Sequence, residues 1–179
     1  MFTSKTKKSK PKIPTKARLR NIALYYLKRF ESSEDNLRAV LKRRIDKYAF
    51  FDKEYNPEEA YSWADEIVEE CVNHNFVNNE RYTNLKIEAY LRAGKSKRYI
   101  EQKLKQKGID EKIVSQSFND FEYSEFDVAL NFARKKKIGK FRKNKEEQIL
   151  NRQKDLATLV RAGFDFDIAK EVVSVFNDV

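Results

Sequence analysis

The sequence predicts an all-α chain of tandem three-helix repeats, three modules and about nine helices in an elongated, curved array. Three observations predict it. Strand-rich folds need frequent tight turns, yet the 179 residues include only 4 glycines and 3 prolines, and Pro11 and Pro14 fall at the very start. Apolar residues recur at steps of three and four, the period of a helix face. A helix-end pattern also repeats inside the chain, the mark of modular architecture.

Charged residues make up 37% of the chain, but aromatics at 13% supply the large apolar groups that disordered chains lack. A chain of this size removes roughly 70% of its extended surface from water on folding, so a real core with charged outer faces is expected. The net charge of +10 is unevenly placed. Met1 to Arg20 holds eight Lys and Arg residues and no acid, the first carboxylate being Glu31. Residues 1–16 are therefore expected to form a disordered basic tail, which either a polyanionic partner or simple solvation would explain. Apolar runs fall short of the roughly 18 residues that span a bilayer, and no apolar stretch of the signal-peptide kind follows the lysines. A cytoplasmic protein without membrane contact is expected. The single Cys71 excludes an intrachain disulfide. The expected state is a monomer.

In helix one, Leu19, Ile22, Ala23, Tyr26, Leu27 and Phe30 share a side. Ser32 and Ser33 offer hydroxyls to cap helix two, whose stripe is Leu37, Val40, Leu41, Ile45 and Tyr48. Asn56, Pro57 and Glu59 supply a cap, a first-turn proline and a first-turn acid for helix three. Trp63, Ala64, Ile67, Val68, Cys71 and Val72 form its stripe, and the helix ends near Asn75, a residue that tolerates a left-handed backbone.

Two later segments align without gaps. Leu104, Gly108, Ile109 and Asp110 correspond to Leu159, Gly163, Phe164 and Asp165. Each reads as a helix, a glycine C-cap, an apolar lock and an aspartate N-cap for the next helix. Ala23 to Arg29 similarly echoes Ala129 to Lys135, and a Ser124 to Asp127 capping box opens the last third. These echoes predict modules over residues 17–76, 77–121 and 122–179. Nine helices side by side would reach on the order of 70 to 90 Å, enough to span several subunits of a polymer.

Several chemistries are excluded by missing parts. His74 and Cys71 are the sole histidine and cysteine and could supply at most two metal ligands, short of the four in a structural zinc site. Gly94, Gly108, Gly139 and Gly163 are too dispersed for a phosphate loop. Glu69 and Glu70 diverge by about 100° on one helix and cannot pinch a substrate bond. No enzymatic activity, cofactor or metal is expected. Three basic clusters remain as candidates for binding. The tail holds Lys5, Lys7, Lys8, Lys10, Lys12 and Lys16. The middle cluster comprises Arg92, Lys95, Lys97, Arg98, Lys103, Lys105 and Lys107, opposed only by Glu101, with Tyr99 beside them. Its helix needs only Ile100 and Leu104 for packing. The last cluster is Arg134, Lys135, Lys136, Lys137, Lys140, Arg142 and Lys143, with no acid until Glu146. Partner binding and a solvated face both account for such clusters.

The stretch Ile67 to Ile109 resembles the central signature of the RecX family. The matching features are the apolar pair Ile67-Val68, the turn Asn78-Asn79-Glu80 with Arg81 and Tyr82, and the Gly94-Lys95-Ser96-Lys97-Arg98 run leading to Leu104-Lys105-Gln106-Lys107-Gly108-Ile109. Arg161-Ala162-Gly163-Phe164 resembles the family's C-terminal module. The layout extends from Leu19 to about Phe176 and is least similar in the first module. Asn75 and Asn78 stand where the family usually has Gly and Asp, with turn and cap chemistry preserved. The resemblance implies tandem three-helix repeats that lie in the groove of the RecA filament on single-stranded DNA and lower its ATPase, strand-exchange and coprotease activities. It also implies weak contact with single- or double-stranded DNA through the backbone. The alternative is a basic helical nucleic-acid-binding domain that acts without RecA.

Overall fold

The computed structural model describes residues 10–174, so Lys5, Lys7 and Lys8 of the basic tail lie outside the described residues. Among these, nine α-helices and one 3-10 turn are present and no strand. They are α1 (Lys16–Leu27), α2 (Glu34–Phe51), α3 (Glu58–Asn73), α4 (Asn79–Arg92), α5 (Lys97–Lys105), α6 (Glu111–Asn119), α7 (Glu125–Lys136), α8 (Lys145–Arg161) and α9 (Phe166–Ser174). The 3-10 turn, Gly139–Phe141, separates α7 from α8. The chain divides into two compact units, Met1–Asn78 and Asn79–Val179.

The first unit is the α1–α2–α3 triplet. Its core joins Leu19 and Ala23 of α1, Leu37, Leu41 and Ile45 of α2, and Ala60, Ala64, Ile67 and Val68 of α3. The small α3 residues let the neighbouring helices come close, while Leu and Ile fill the space between them. Three ion pairs join α3 to its neighbours beside this core: Lys16 with Glu66, Arg20 with Glu70 (Nη2 to Oε1 2.6 Å) and Arg38 with Asp65 (Nε to Oδ1 2.8 Å). The Tyr61 hydroxyl donates to Asp46 at 2.5 Å, and that carboxylate pushes the phenol up to about 12.

Two local details differ from the sequence expectation. Phe30 lies beyond the end of α1 and is 54% exposed, because the helix stops at Leu27 and the chain leaves the helical phase of the stripe. The folded body also begins ahead of residue 16. Pro14 is buried, and the Thr15 hydroxyl accepts the Arg18 N–H at 3.3 Å to cap α1. Ser33 caps α2 as the sequence suggests, its hydroxyl accepting the Asn36 N–H at 3.3 Å. At α3, Asn56 accepts the Glu58 N–H at 3.1 Å, with Pro57 just before the helix rather than within its first turn.

The second unit holds six helices around two apolar clusters. Tyr82, Ile87, Ile100, Leu104, Ile109, Val114 and Phe118 fill the space between α4, α5 and α6. Ala129, Ala133, Leu159, Phe164, Ala169 and Val172 fill that between α7, α8 and α9. Leu91 and Tyr123 pack against both clusters, so the two triplets share a wall.

The repeated helix ends adopt one geometry. Gly108 and Gly163 have positive φ (72° and 92°), and the N–H of the next residue reaches back to the carbonyl five residues earlier. Those bonds are Ile109 to Leu104 at 3.1 Å and Phe164 to Leu159 at 3.2 Å. Asp110 and Asp165 then accept the N–H groups of Lys112 (2.7 Å) and Asp167 (3.0 Å) to start α6 and α9. Asn75 and Lys137, both at φ 55°, end α3 and α7 in the same way. Ser124 accepts the Asp127 N–H at 3.2 Å to open α7, and Ala23 and Ala129 occupy matching, fully buried positions.

Candidate cationic interface

The middle cluster is split by its own helix. Ile100 and Leu104 turn inward, and the cations of α5 leave on opposite flanks of that seam. On one flank Lys95 and Lys103 both lie over the ring of Tyr99, with Nζ at 4.9 and 5.6 Å from its centroid, and Tyr90 meets Tyr99 edge-on at 5.8 Å. On the other flank Arg98 and Lys105 border a shallow pocket floored by Ile109 and Val114 between α5 and α6. Lys105 is bonded there to Glu111 at 2.8 Å, and that carboxylate raises the lysine's pKa. Lys97 lies 5.2 Å from the Phe118 ring centroid, while Lys107 is exposed beyond the end of the helix. Arg92, at the end of α4, is 78% exposed and pairs with Glu88 one turn earlier at 2.6 Å.

The last cluster serves several ends. Arg134 and Lys140 both approach the ring of Phe141, at 5.4 and 5.5 Å. Lys136 and Lys143 are exposed, and Lys137 supplies the left-handed residue at the end of α7. Arg142 turns inward. Its guanidinium grips Asp155 of α8 through Nε to Oδ2 at 2.7 Å and Nη2 to Oδ1 at 2.6 Å, and the Gly139 N–H donates to the same carboxylate at 2.8 Å. With Asp155 1% exposed and Arg142 18% exposed, this pair anchors the 3-10 turn to α8, and the Asp155 bond raises the arginine's pKa. That guanidinium is therefore committed inside the unit rather than offered at its surface.

The two clusters meet where α4 ends. The carbonyl of Arg92, left without a helical partner, accepts from Lys135 Nζ at 3.1 Å and from Asn131 Nδ2 at 3.4 Å, both on α7. A cation at a helix C-terminus is electrostatically favoured there. Gly94 lies against the Phe132 backbone, where an added Cβ would sit 3.2 Å from the nitrogen. Ser96 caps α5 by accepting the Tyr99 N–H at 3.2 Å and donates its own proton to the Ala162 carbonyl at 2.8 Å. The turn from α4 to α5 is thus wedged against α7 and the α8–α9 turn. It brings the backbone of Arg92, where the middle cluster begins, against Lys135 of the last.

The sequence nominated the cations but not the groups that sort them. Phe118, Asn131, Phe141 and Asp155 decide which positive charges stay at the surface, and only Phe141, set between Lys140 and Arg142, stood close enough in sequence to signal its part. Chemically the surface offers multivalent positive charge beside aromatic faces, which suits an anionic polymer or an acidic protein surface. Among the described residues no group of three or more His, Cys, Asp and Glu side chains could hold a metal ion, and no helix is long and apolar enough to cross a membrane.

Comparison with known proteins agrees with this architecture. Residues 78–117 match the family described as RecX, second three-helix domain. The regulatory protein RecX of Myxococcus xanthus (strain DK1622) is 39% identical over 174 residues, covering 94% of this chain and 92% of that protein. The regulatory protein RecX of Agrobacterium fabrum is 25% identical over 160 residues, covering 89% and 83%. Among solved structures, the crystal structure of a regulatory protein RecX superposes with a TM-score of 0.64 at 20% identity, covering 88% of this chain and 70% of the other. RecX from Lactobacillus salivarius gives 0.60 at 18% identity, covering 90% and 96%. At such identities the structures speak for the fold, whereas the long match to the Myxococcus protein carries the family: this chain belongs to the RecX family of regulatory proteins.

Proposed function

We propose that the protein binds the RecA filament on single-stranded DNA in the cytoplasm, as a monomer, and restrains RecA's ATPase, strand-exchange and coprotease activities. The observation that carries this is the convergence of two basic clusters at the end of α4, in a chain of the RecX family. A surface bearing Arg92, Lys95, Lys103 and Lys136 can hold adjacent subunits and the DNA backbone together, opposing the subunit rearrangement that ATP turnover requires. Nucleotide hydrolysis falls because the filament is braced from outside. The three apolar clusters support a modular build over residues 17–76, 77–121 and 122–179, one triplet of helices each.

The test mixes the purified protein with RecA, single-stranded DNA and ATP. Hydrolysis and strand exchange are expected to fall with added protein, and the Lys95→Glu/Lys103→Glu/Lys136→Glu variant to require about tenfold more protein for the same effect, since each lost cation costs on the order of 0.5 kcal/mol. Unchanged hydrolysis at saturating wild-type protein would overturn the proposal. The stacked Lys95–Tyr99–Lys103 arrangement favours one further reading, nucleic-acid binding without RecA. Sequence-selective binding in the recombinase's absence would mark it.

A further inference from the structure

The first unit is electrically two-sided. Helix α3 carries Glu58, Glu59, Asp65, Glu66, Glu69 and Glu70 and no lysine or arginine. Three cations of α1 and α2 that face it are neutralised: Lys16, Arg20 and Arg38 are each paired with one of its acids. The opposite flank of α1 has no such partner. Residues 18, 22 and 25 share that flank at helical spacing. Arg18, Ile22 and Tyr25, with Arg44 of α2, line an open surface groove of about 660 Å³.

Among the described residues neither Arg18 nor Arg44 has an ion-pair partner. The Tyr25 ring is 65% exposed. Arg29 steadies it from one side, its guanidinium 5.6 Å from the ring centroid and donating to the hydroxyl at 3.1 Å. Two uncommitted guanidinium groups flank an exposed ring whose position is held. Guanidinium forks match phosphate oxygens, and an open aromatic face stacks a base. An acidic peptide would use the cations and leave the ring idle, and a duplex conceals its base faces.

We propose that this groove is a binding site for single-stranded nucleic acid, with Arg18 and Arg44 on phosphates and Tyr25 stacked on a base. It uses none of the residues of the second unit's cationic interface and needs no recombinase.

The experiment measures anisotropy of a fluorescein-labelled 15-residue oligothymidine with the full-length protein and no RecA. Arg18→Ala/Arg44→Ala is expected to weaken binding about tenfold and to flatten the salt dependence by about 1.4 in the log–log slope. Tyr25→Ala is expected to weaken it fivefold or more, with Tyr25→Phe retaining most of the affinity. On an abasic oligomer of equal length, Tyr25→Ala is expected to match the wild type. All three substituted side chains are at least partly exposed, so matching circular dichroism spectra confirm that folding is intact. Wild-type affinity in the double variant, or an equal Tyr25→Ala loss on the abasic strand, would overturn the assignment. Competition by polyglutamate as effective as by unlabelled oligothymidine would overturn it in favour of an acidic protein segment. Because no arm contains RecA, failure here leaves the filament proposal standing, and failure of that proposal leaves this site standing.

Discussion

Arg142 and Lys143 are neighbours in one basic run, yet they do unrelated work. Lys143 is exposed, whereas Arg142 folds back onto a carboxylate that is almost wholly out of water. A buried charge persists only when paired and hydrogen-bonded, and Asp155 meets that condition with both carboxylate oxygens engaged. Arg142→Ala leaves the carboxylate with only the Gly139 N–H. A loss of about 3 kcal/mol is expected, read as a lower denaturant midpoint with unchanged slope. Lys143→Ala is expected to stay within about 0.5 kcal/mol of the wild type. Equal midpoints for the two variants would show that the pair holds nothing together. A basic run in sequence is thus no guide to a basic surface until each cation's partner is known.

At the scale of elements, the helix ends do the organising. Five of them, at Asn75, Gly94, Gly108, Lys137 and Gly163, turn through a left-handed residue and lock with a bond back five residues. Gly163 carries a second constraint. A Cβ there would fall 2.6 Å from Ser96 Oγ, so the absence of a side chain is what lets the α8–α9 turn rest on the cap of α5. Gly108→Ala is expected to cost about 1 kcal/mol from backbone strain alone. Gly163→Ala is expected to cost about 2 to 3 kcal/mol, because it also displaces Ser96 from the Ala162 carbonyl. Chemical denaturation of the two variants side by side checks this. An equal cost at both glycines would mean that the contact yields without penalty.

At the scale of the whole molecule, the chain forms two compact units, and the second of them holds two of the three helix triplets. The second and third helix triplets share Leu91 and Tyr123 and are tied through Arg92, Lys135, Ser96 and Ala162, so they belong to one body. Residues 79–179 produced alone are expected to unfold in a single transition, with helix content and near-ultraviolet aromatic signals lost together; two separated transitions would contradict that. Much of the architecture was legible beforehand. Helical period, scarce turn residues and the glycine–apolar–aspartate pattern specify helix type, order and ends, because those depend on interactions among residues a few positions apart. The candidate surface was legible only in part. Sequence located its cations, but a charge's availability depends on what lies beside it in space. Asp155 sits 13 residues from Arg142, and Lys135 sits 43 residues from the carbonyl it caps. Local periodicity therefore determined the helices, while tertiary packing decided which triplets merge and which positive charges remain for a partner, since burial and pairing are properties of neighbours that the chain acquires only on folding.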